Sequence, residues 1–317
     1  MKLSYRRGLA CVFGAVTGLL ISSAARADNI FVTNLTSGTI GEYTTSGATV
    51  NDSLISGLAF PTGIAVSGAD LFVANYLTGT IGEYTTSGAT VNAALISGLS
   101  SPFGIAVSGS DLFVVNQASG TIGEYTTSGA TVDAALISGL SSPIGIAVSG
   151  SDLFITNAGN ILGTAAISEY TTSGATVHAP LISLNAPLST ERNFLIGIAV
   201  SGSDLFVVNQ SSDTIGEYTT SGATVNDSLI SGLHSPQLIA VSGTTLVVVN
   251  NGFGIGEYTT SGATVNASLI SGLFNSEGIA ISPTASTVPE PSSLSLALVG
   301  LGLAGFGLYA RRKFLEG

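Results

Sequence analysis

Gly104 to Ile137 reads GIAVSGSDLFVVNQASGTIGEYTTSGATVDAALI. The stretch holds four strand-like runs: Gly104–Ser108, Asp111–Asn116, Thr121–Thr126 and Ala130–Ile137. Ser-Gly and similar turn residues part them. No run is long enough for an ordinary helix. The unit recurs on both sides. GEYTTSGATV begins at Gly41, Gly82, Gly123, Gly216 and Gly256, and a sixth copy carries Ser168 in place of the glycine. The tyrosines (Tyr43, Tyr84, Tyr125, Tyr170, Tyr218, Tyr258) follow one another at 41, 41, 45, 48 and 40 residues.

Four short strands in about 40 residues is the arithmetic of a propeller blade. Six units predict an all-β chain folded as a six-bladed β-propeller over residues 28–284. The strands of each blade are termed a to d from the axis outward. The two ends predict how the ring closes. The repeat opens on a b strand, Ile30–Asn34, with no a strand before it, and ends on a lone a strand, Gly278–Ile281. The last strand is expected to complete the first blade, hiding two edges that would otherwise invite aggregation.

The Pro-x-Gly-Ile-Ala-Val and Asp-Leu-Phe-Val-x-Asn pattern resembles the NHL-repeat and related six-bladed propellers over residues 28–284. The resemblance implies the fold and leaves the activity open, since propellers host many functions. It also implies an alternative: some six-bladed lactonases and lyases place unlike polar residues around the channel mouth, commonly with a divalent metal.

Composition excludes several classes. Only 9% of the 317 residues are charged and 45% are hydrophobic, so most of the chain is not disordered. A net charge of −11 excludes a nucleic-acid partner, which would need a basic face. Between residues 28 and 288, Arg192 is the single basic residue against 17 acidic ones, a balance of −16. Cys11 is the one cysteine, so there is no disulfide framework and no cysteine metal site.

Both ends read as targeting segments. Lys2, Arg6 and Arg7, an apolar run from Gly8 to Ile21, and Ala25-Arg26-Ala27 have the order of a signal peptide over 1–27. Gly8 stands where a lipobox at Cys11 would need leucine. Residues 285–317 hold Pro289-Glu290-Pro291, an uncharged stretch over 294–310 and the basic cluster Arg311-Arg312-Lys313. That stretch is at the lower limit for a membrane-spanning helix, and the basic cluster behind it should stay cytoplasmic. The three parts in this order resemble the PEP-CTERM sorting signal. The resemblance implies an exosortase-type processing enzyme as partner and an inner-membrane-anchored precursor before release.

Candidate site residues come from differences among the copies. The residue just before each a strand varies: Thr62, Phe103, Ile144, Ile196, Gln237 and Glu277. In a propeller this position lies at the channel mouth, where a ligand would be read, although loop positions also drift in any duplicated unit. The Tyr170 unit has longer loops at residues 158–166 and 185–195, the second containing Glu191-Arg192. Arg192 and Glu191 join the candidate set as an asymmetric lip.

The repeated acids Glu42, Glu83, Glu124, Glu169, Glu217 and Glu257 are expected to bond Ser/Thr of the next blade. Asn34, Asn75, Asn116, Asn157, Asn209 and Asn250 are expected to cap the turns after the b strands. Asp70, Asp111, Asp152 and Asp204 are read as turn residues, and His178 and His234 as surface residues without partners. No catalytic set and no cofactor are expected. A calcium site made only of loop Asp and Asn oxygens stays open, because such ligands keep no strict spacing. The reading is an exported, exosortase-sorted binding or structural module of the cell envelope or exopolysaccharide matrix, non-enzymatic, with exopolysaccharide or another envelope component as partner. The alternative is a propeller enzyme of the lactonase or lyase type with a metal at the mouth.

Overall fold

The computed structural model describes residues 28–158, 164–185, 194–273 and 275–282. They form strands numbered in chain order and gathered into six four-stranded antiparallel sheets. Blade 1 joins β24 (Ser276–Ile281) to β1 (Asn29–Asn34), β2 (Thr39–Thr44) and β3 (Thr49–Ile55). Blade 2 is β4 (Pro61–Ser67), β5 (Asp70–Asn75), β6 (Thr80–Thr85) and β7 (Thr90–Ser97). Blade 3 is β8 (Pro102–Ser108), β9 (Asp111–Asn116), β10 (Thr121–Thr126) and β11 (Thr131–Ile137). Blade 4 is β12 (Pro143–Ser149), β13 (Asp152–Asn157), β14 (Thr164–Thr171) and β15 (Thr176–Asn185). Blade 5 is β16 (Leu195–Ser201), β17 (Asp204–Asn209), β18 (Thr214–Thr219) and β19 (Thr224–Ile230). Blade 6 is β20 (Pro236–Ser242), β21 (Thr245–Asn250), β22 (Gly254–Thr259) and β23 (Thr264–Ile270). The predicted signal peptide 1–27, the segment 285–317 with its span 294–310, and Glu191 and Arg192 lie outside the described residues.

Six cores lie between the blades. In the one between blades 2 and 3, Phe72 of β5 meets Leu112 and Val114 of β9 and the ring of Tyr125. Leu71, next to Phe72, turns to the core shared by blades 1 and 2. Successive side chains of a strand point to opposite faces, and here both faces are buried. That is why the b strands read as continuous apolar runs. The outer d strands are wet on both sides over most of their length: Thr49–Ser53 is exposed and only Ile55 is buried.

Two glycine sets permit this spacing. A Cβ on Gly82 would lie 2.7 Å from the phenol oxygen of Tyr84, so in the GEY motif the tyrosine ring folds back over the glycine two residues before it. At the axis, a Cβ on Gly104 would lie 2.4 Å from the carbonyl oxygen of Ile144 in the next blade. Gly104→Ala should therefore force blades 3 and 4 apart and cost about 1–3 kcal/mol, as overpacking does. Denaturant titration measures it, and an unchanged midpoint would mean that the blades separate freely.

The ring closes as the sequence predicts. The register pairs Ile30 with Ile281 and Val32 with Ile279. Side chains latch this blade, and one of the latches recurs in blade 4, where the Gly145 amide donates to Thr156 Oγ1 and Thr156 Oγ1 donates to the Ile196 carbonyl of blade 5. Ser276 Oγ donates to Asn34 Oδ1 at 2.9 Å, and Asn275 Nδ2 donates to Thr36 Oγ1 at 2.9 Å. The Gly278 amide donates to Thr33 Oγ1, which in turn donates to the Thr62 carbonyl of blade 2 at 2.8 Å. Pro61, Pro102, Pro143, Leu195 and Pro236 occupy the position of Ser276 in the other blades. Ser276→Ala would strand the Asn34 acceptor, and a loss of about 1 kcal/mol is expected in thermal melting. An unchanged melting curve would remove the bond from the clasp.

Candidate functional site

The channel is lined by Ile64, Ile105, Ile146, Ile198, Ile239 and Ile279, one from each a strand, and encloses about 70 Å³. Glycines precede these isoleucines in five blades, and Leu238 stands in that place in blade 6. No polar side chain lines this narrow passage, so side-chain chemistry lies at its mouth.

The variable residues Thr62, Phe103, Ile144, Ile196, Gln237 and Glu277 sit inside the a strands, as their second residue, and not in the loops before them. Pairing of Pro61 with Asn75 and of Pro102 with Asn116 puts this end of each a strand beside the b–c turn. The six divide into two arcs. Blades 3, 4 and 5 present Phe103, Ile144 and Ile196, and blades 6, 1 and 2 present Gln237, Glu277 and Thr62. On the apolar arc, Ile144 and Ile196 pack with Ala158, and Phe103, Phe194 and Leu238 close over them, so that the cluster spans blades 3 to 6. Tyr76 meets Phe103 edge-on at 6.5 Å between ring centres.

On the polar arc, Thr62 Oγ1 donates within blade 2 and across to blade 3, lying 3.1 Å from the Pro102 carbonyl. Gln237 and Glu277 make no side-chain hydrogen bond or ion pair among the described residues. Burial pushes the Glu277 carboxyl up to about 7, since desolvation disfavours its charged form. The mouth thus offers an amide and a near-neutral carboxyl on adjacent blades, facing an aromatic and aliphatic arc.

Several sequence expectations need correction. Two of the repeated glutamates bond within their own blade, and none is seen to bond the next among the described residues: Asn29 Nδ2 donates to Glu42 Oε1 at 2.6 Å, and Glu169 Oε2 lies 2.7 Å from His178 Nδ1. They face the neighbouring d strand, where Glu124 opposes Asp133 and Glu83 opposes Asn92. Burial, then Asp111 and Asp133, raise the Glu124 carboxyl above its usual range. The histidines are exposed as expected but partnered. His178 holds Glu169, and His234 stacks on Phe253 at 4.4 Å.

The asparagines do not bond the turn backbone with their side chains. Asn34 and Asn157 reach across the hairpin to Thr39 Oγ1 and Ser168 Oγ, while the Asn34 carbonyl accepts the Gly38 amide. Five of the six leave Oδ1 buried without a partner, because no serine stands opposite. Leu238, Phe194, Ala158 and Tyr76 were missed at the mouth. Leu238 alone carried a signal, as the one break in the Gly-Ile-Ala run.

A divalent metal fits this mouth poorly. It would need several convergent oxygen or nitrogen ligands, and the six variable mouth positions supply one carboxyl, one amide and one hydroxyl. Among the described residues no group of three or more His, Cys, Asp or Glu side chains is arranged to hold a metal ion.

The chain is similar in fold to a chain of the nidogen/laminin complex, with a TM-score of 0.68 at 15% identity, covering 81% of this chain and 99% of that one. A streptogramin B lyase gives 0.56 at 21% identity over 79% and 82%. A gluconolactonase from Xanthomonas campestris gives 0.59 at 15% identity over 80% and 88%. At such identities the likeness concerns the fold alone. No curated protein matches the chain. Residues 287–313, which include Pro289, Glu290, Pro291, Arg311, Arg312 and Lys313, match the PEP-CTERM protein-sorting motif. That motif implies export, a precursor anchored at its C-terminus and sorting by an exosortase-type enzyme. The chain is a six-bladed β-propeller of four-stranded blades that carries a PEP-CTERM protein-sorting motif at residues 287–313.

Proposed function

We propose that the propeller is a non-enzymatic binding module of the cell envelope or exopolysaccharide matrix, and that its mouth face meets the ligand. The observation that carries this reading is the pair Gln237 and Glu277, left without intramolecular partners beside the apolar arc of Phe103, Ile144 and Ile196. Neither head group is sealed from solvent, so a ligand hydroxyl can reach and bond both. The same face carries Phe60, Leu77 and Phe253, exposed large apolar side chains in its loops. Exposed apolar surface of this kind marks interaction sites. The acidic balance of the domain repels anions at long range, which favours a neutral or cation-bridged polysaccharide. Arg192 and Glu191 form the lip of the same face in this reading.

The alternative enzyme reading draws on Glu277, whose near-neutral carboxyl suits proton transfer. It requires a second group of different chemistry beside it. The test is binding of the full-length chain to the producer's own exopolysaccharide. Phe103→Ala and Gln237→Ala should each weaken it at least tenfold at unchanged melting temperature. Full binding by both variants would take the ligand away from the mouth.

A further inference from the structure

A second cavity lies away from the channel, on blade 4. It holds about 370 Å³, with Asn157, Ser168, Tyr170, Pro180 and Ser183 of blade 4 on one side and Leu140 of blade 3 on the other. That volume falls within the roughly 300–1,000 Å³ of small-molecule sites. We propose that this pocket binds a neutral sugar residue. The proposal rests on the matrix-binding reading above and adds a subsite to it.

The chemistry of the walls selects the ligand class. The lining contains no charged side chain. Glu169, between Ser168 and Tyr170, is turned to the opposite face of the strand, where it holds His178. Tyr170 and Pro180 offer flat apolar faces, and Ser141, Ser168 and Ser183 offer hydroxyls that donate and accept. A sugar ring presents the same combination of apolar faces rimmed by hydroxyls. An ionic ligand would find no counter-charge here, and a wholly apolar one would leave the serines unpaired.

Blade 4 owes this pocket to its own departures from the repeat. In five blades a glycine lies under the tyrosine ring; here Ser168 takes its place. Asn157 Nδ2 donates to Ser168 Oγ at 3.2 Å, and Ser168 bonds in turn with the phenol of Tyr170. Burial raises that phenol's pKa, which the bond to Ser168 partly offsets. The relay from Asn157 through Ser168 fixes the edge of Tyr170 in the pocket. The d strand is also different: Pro180 follows Ala179 where blades 1 and 5 have Ser after Asp. Ser168 and Pro180 have no counterpart at the same positions of the other blades, so a site built on them gives one sugar contact per molecule.

The experiment uses the full-length chain in mild detergent, with methyl glycosides of glucose, galactose and mannose as probes and saturation-transfer NMR as the readout. At least one glycoside should bind at millimolar concentration. Ser183→Phe places a ring in the pocket from an exposed position and should abolish the signal without lowering the melting temperature. Ser168→Gly restores the residue native to the other blades and should weaken binding several-fold. Absence of binding by all three glycosides, or undiminished binding by Ser183→Phe, overturns the proposal. Polysaccharide binding by the Ser183→Phe protein is measured alongside. If it persists while no glycoside signal is seen, the subsite fails and the matrix reading stands. If glycosides bind the pocket but no polysaccharide binds the parent chain, the subsite stands and the matrix reading fails.

Discussion

At pH 8 the Glu277→Gln protein should melt about 6–12 °C above the parent, and the difference should fade as the pH approaches 4.5. The carboxyl of Glu277 is raised to about 7 by burial, against about 4.3 in an unfolded chain. The folded state therefore holds a proton that the unfolded state has released between those values. Stability falls as pH rises through this window, and above about 7 the full penalty remains. Holding the carboxyl at about 7 in place of its unfolded value corresponds to about 3 kcal/mol, and in a domain of this size each kcal/mol moves Tm by roughly 2–4 °C. Glutamine keeps the shape and removes the titration. Thermal melting of both proteins at each pH measures the gap, in which all other titrating groups cancel. Equal melting at pH 8 would mean that water or a counter-ion already relieves the carboxylate.

Truncation before Ser276 should have the larger effect. It removes the inner strand of blade 1 and with it the buried Ile279 and Ala280, the Ser276–Asn34 bond and the Gly278–Thr33–Thr62 chain. Burying one isoleucine is worth about 1.5–3 kcal/mol. The strand's ladder bonds and the seam with blade 2 go as well, so the loss reaches the scale of a whole domain's stability. The truncated chain should aggregate or melt without a cooperative transition. A calorimetric peak matching the parent's would show that the ring holds without its clasp.

The sequence made the ring legible because repetition encodes it. Constant spacing of GEYTTSGATV predicts equal blades, and the unpaired strand runs at the two ends can only be reconciled by joining them. The mouth was legible in position and not in character. Side chains at Phe103, Ile144 and Ile196 meet Leu238 across several blades, and no spacing along the chain records which blades face one another over an axis. The glutamates were misassigned for a related reason. Glu42 and Glu169 find partners on adjacent strands of their own blade, at Asn29 and His178. That choice depends on register between strands, while the repeat shows only that the acid recurs. The pocket on blade 4 was half visible, since Ser168 and the longer unit marked the blade without revealing a cavity.

The clasp also sets the order of events during synthesis. Asn34 and its partner Ser276 are 242 residues apart. At about 5–20 residues per second, β1 waits on the order of 10–50 s for the strand that completes its sheet. Through that interval its inner edge is bare, and only three strands of the first blade exist. Contacts of such long separation make folding slow. An unpaired β1 edge accepts any chain that presents the sequence of β24, including the tail of a neighbouring copy. Crowded export therefore favours exchange of the last strand between molecules, and pairs or chains of propellers linked in this way would each bury the same contacts as the closed monomer.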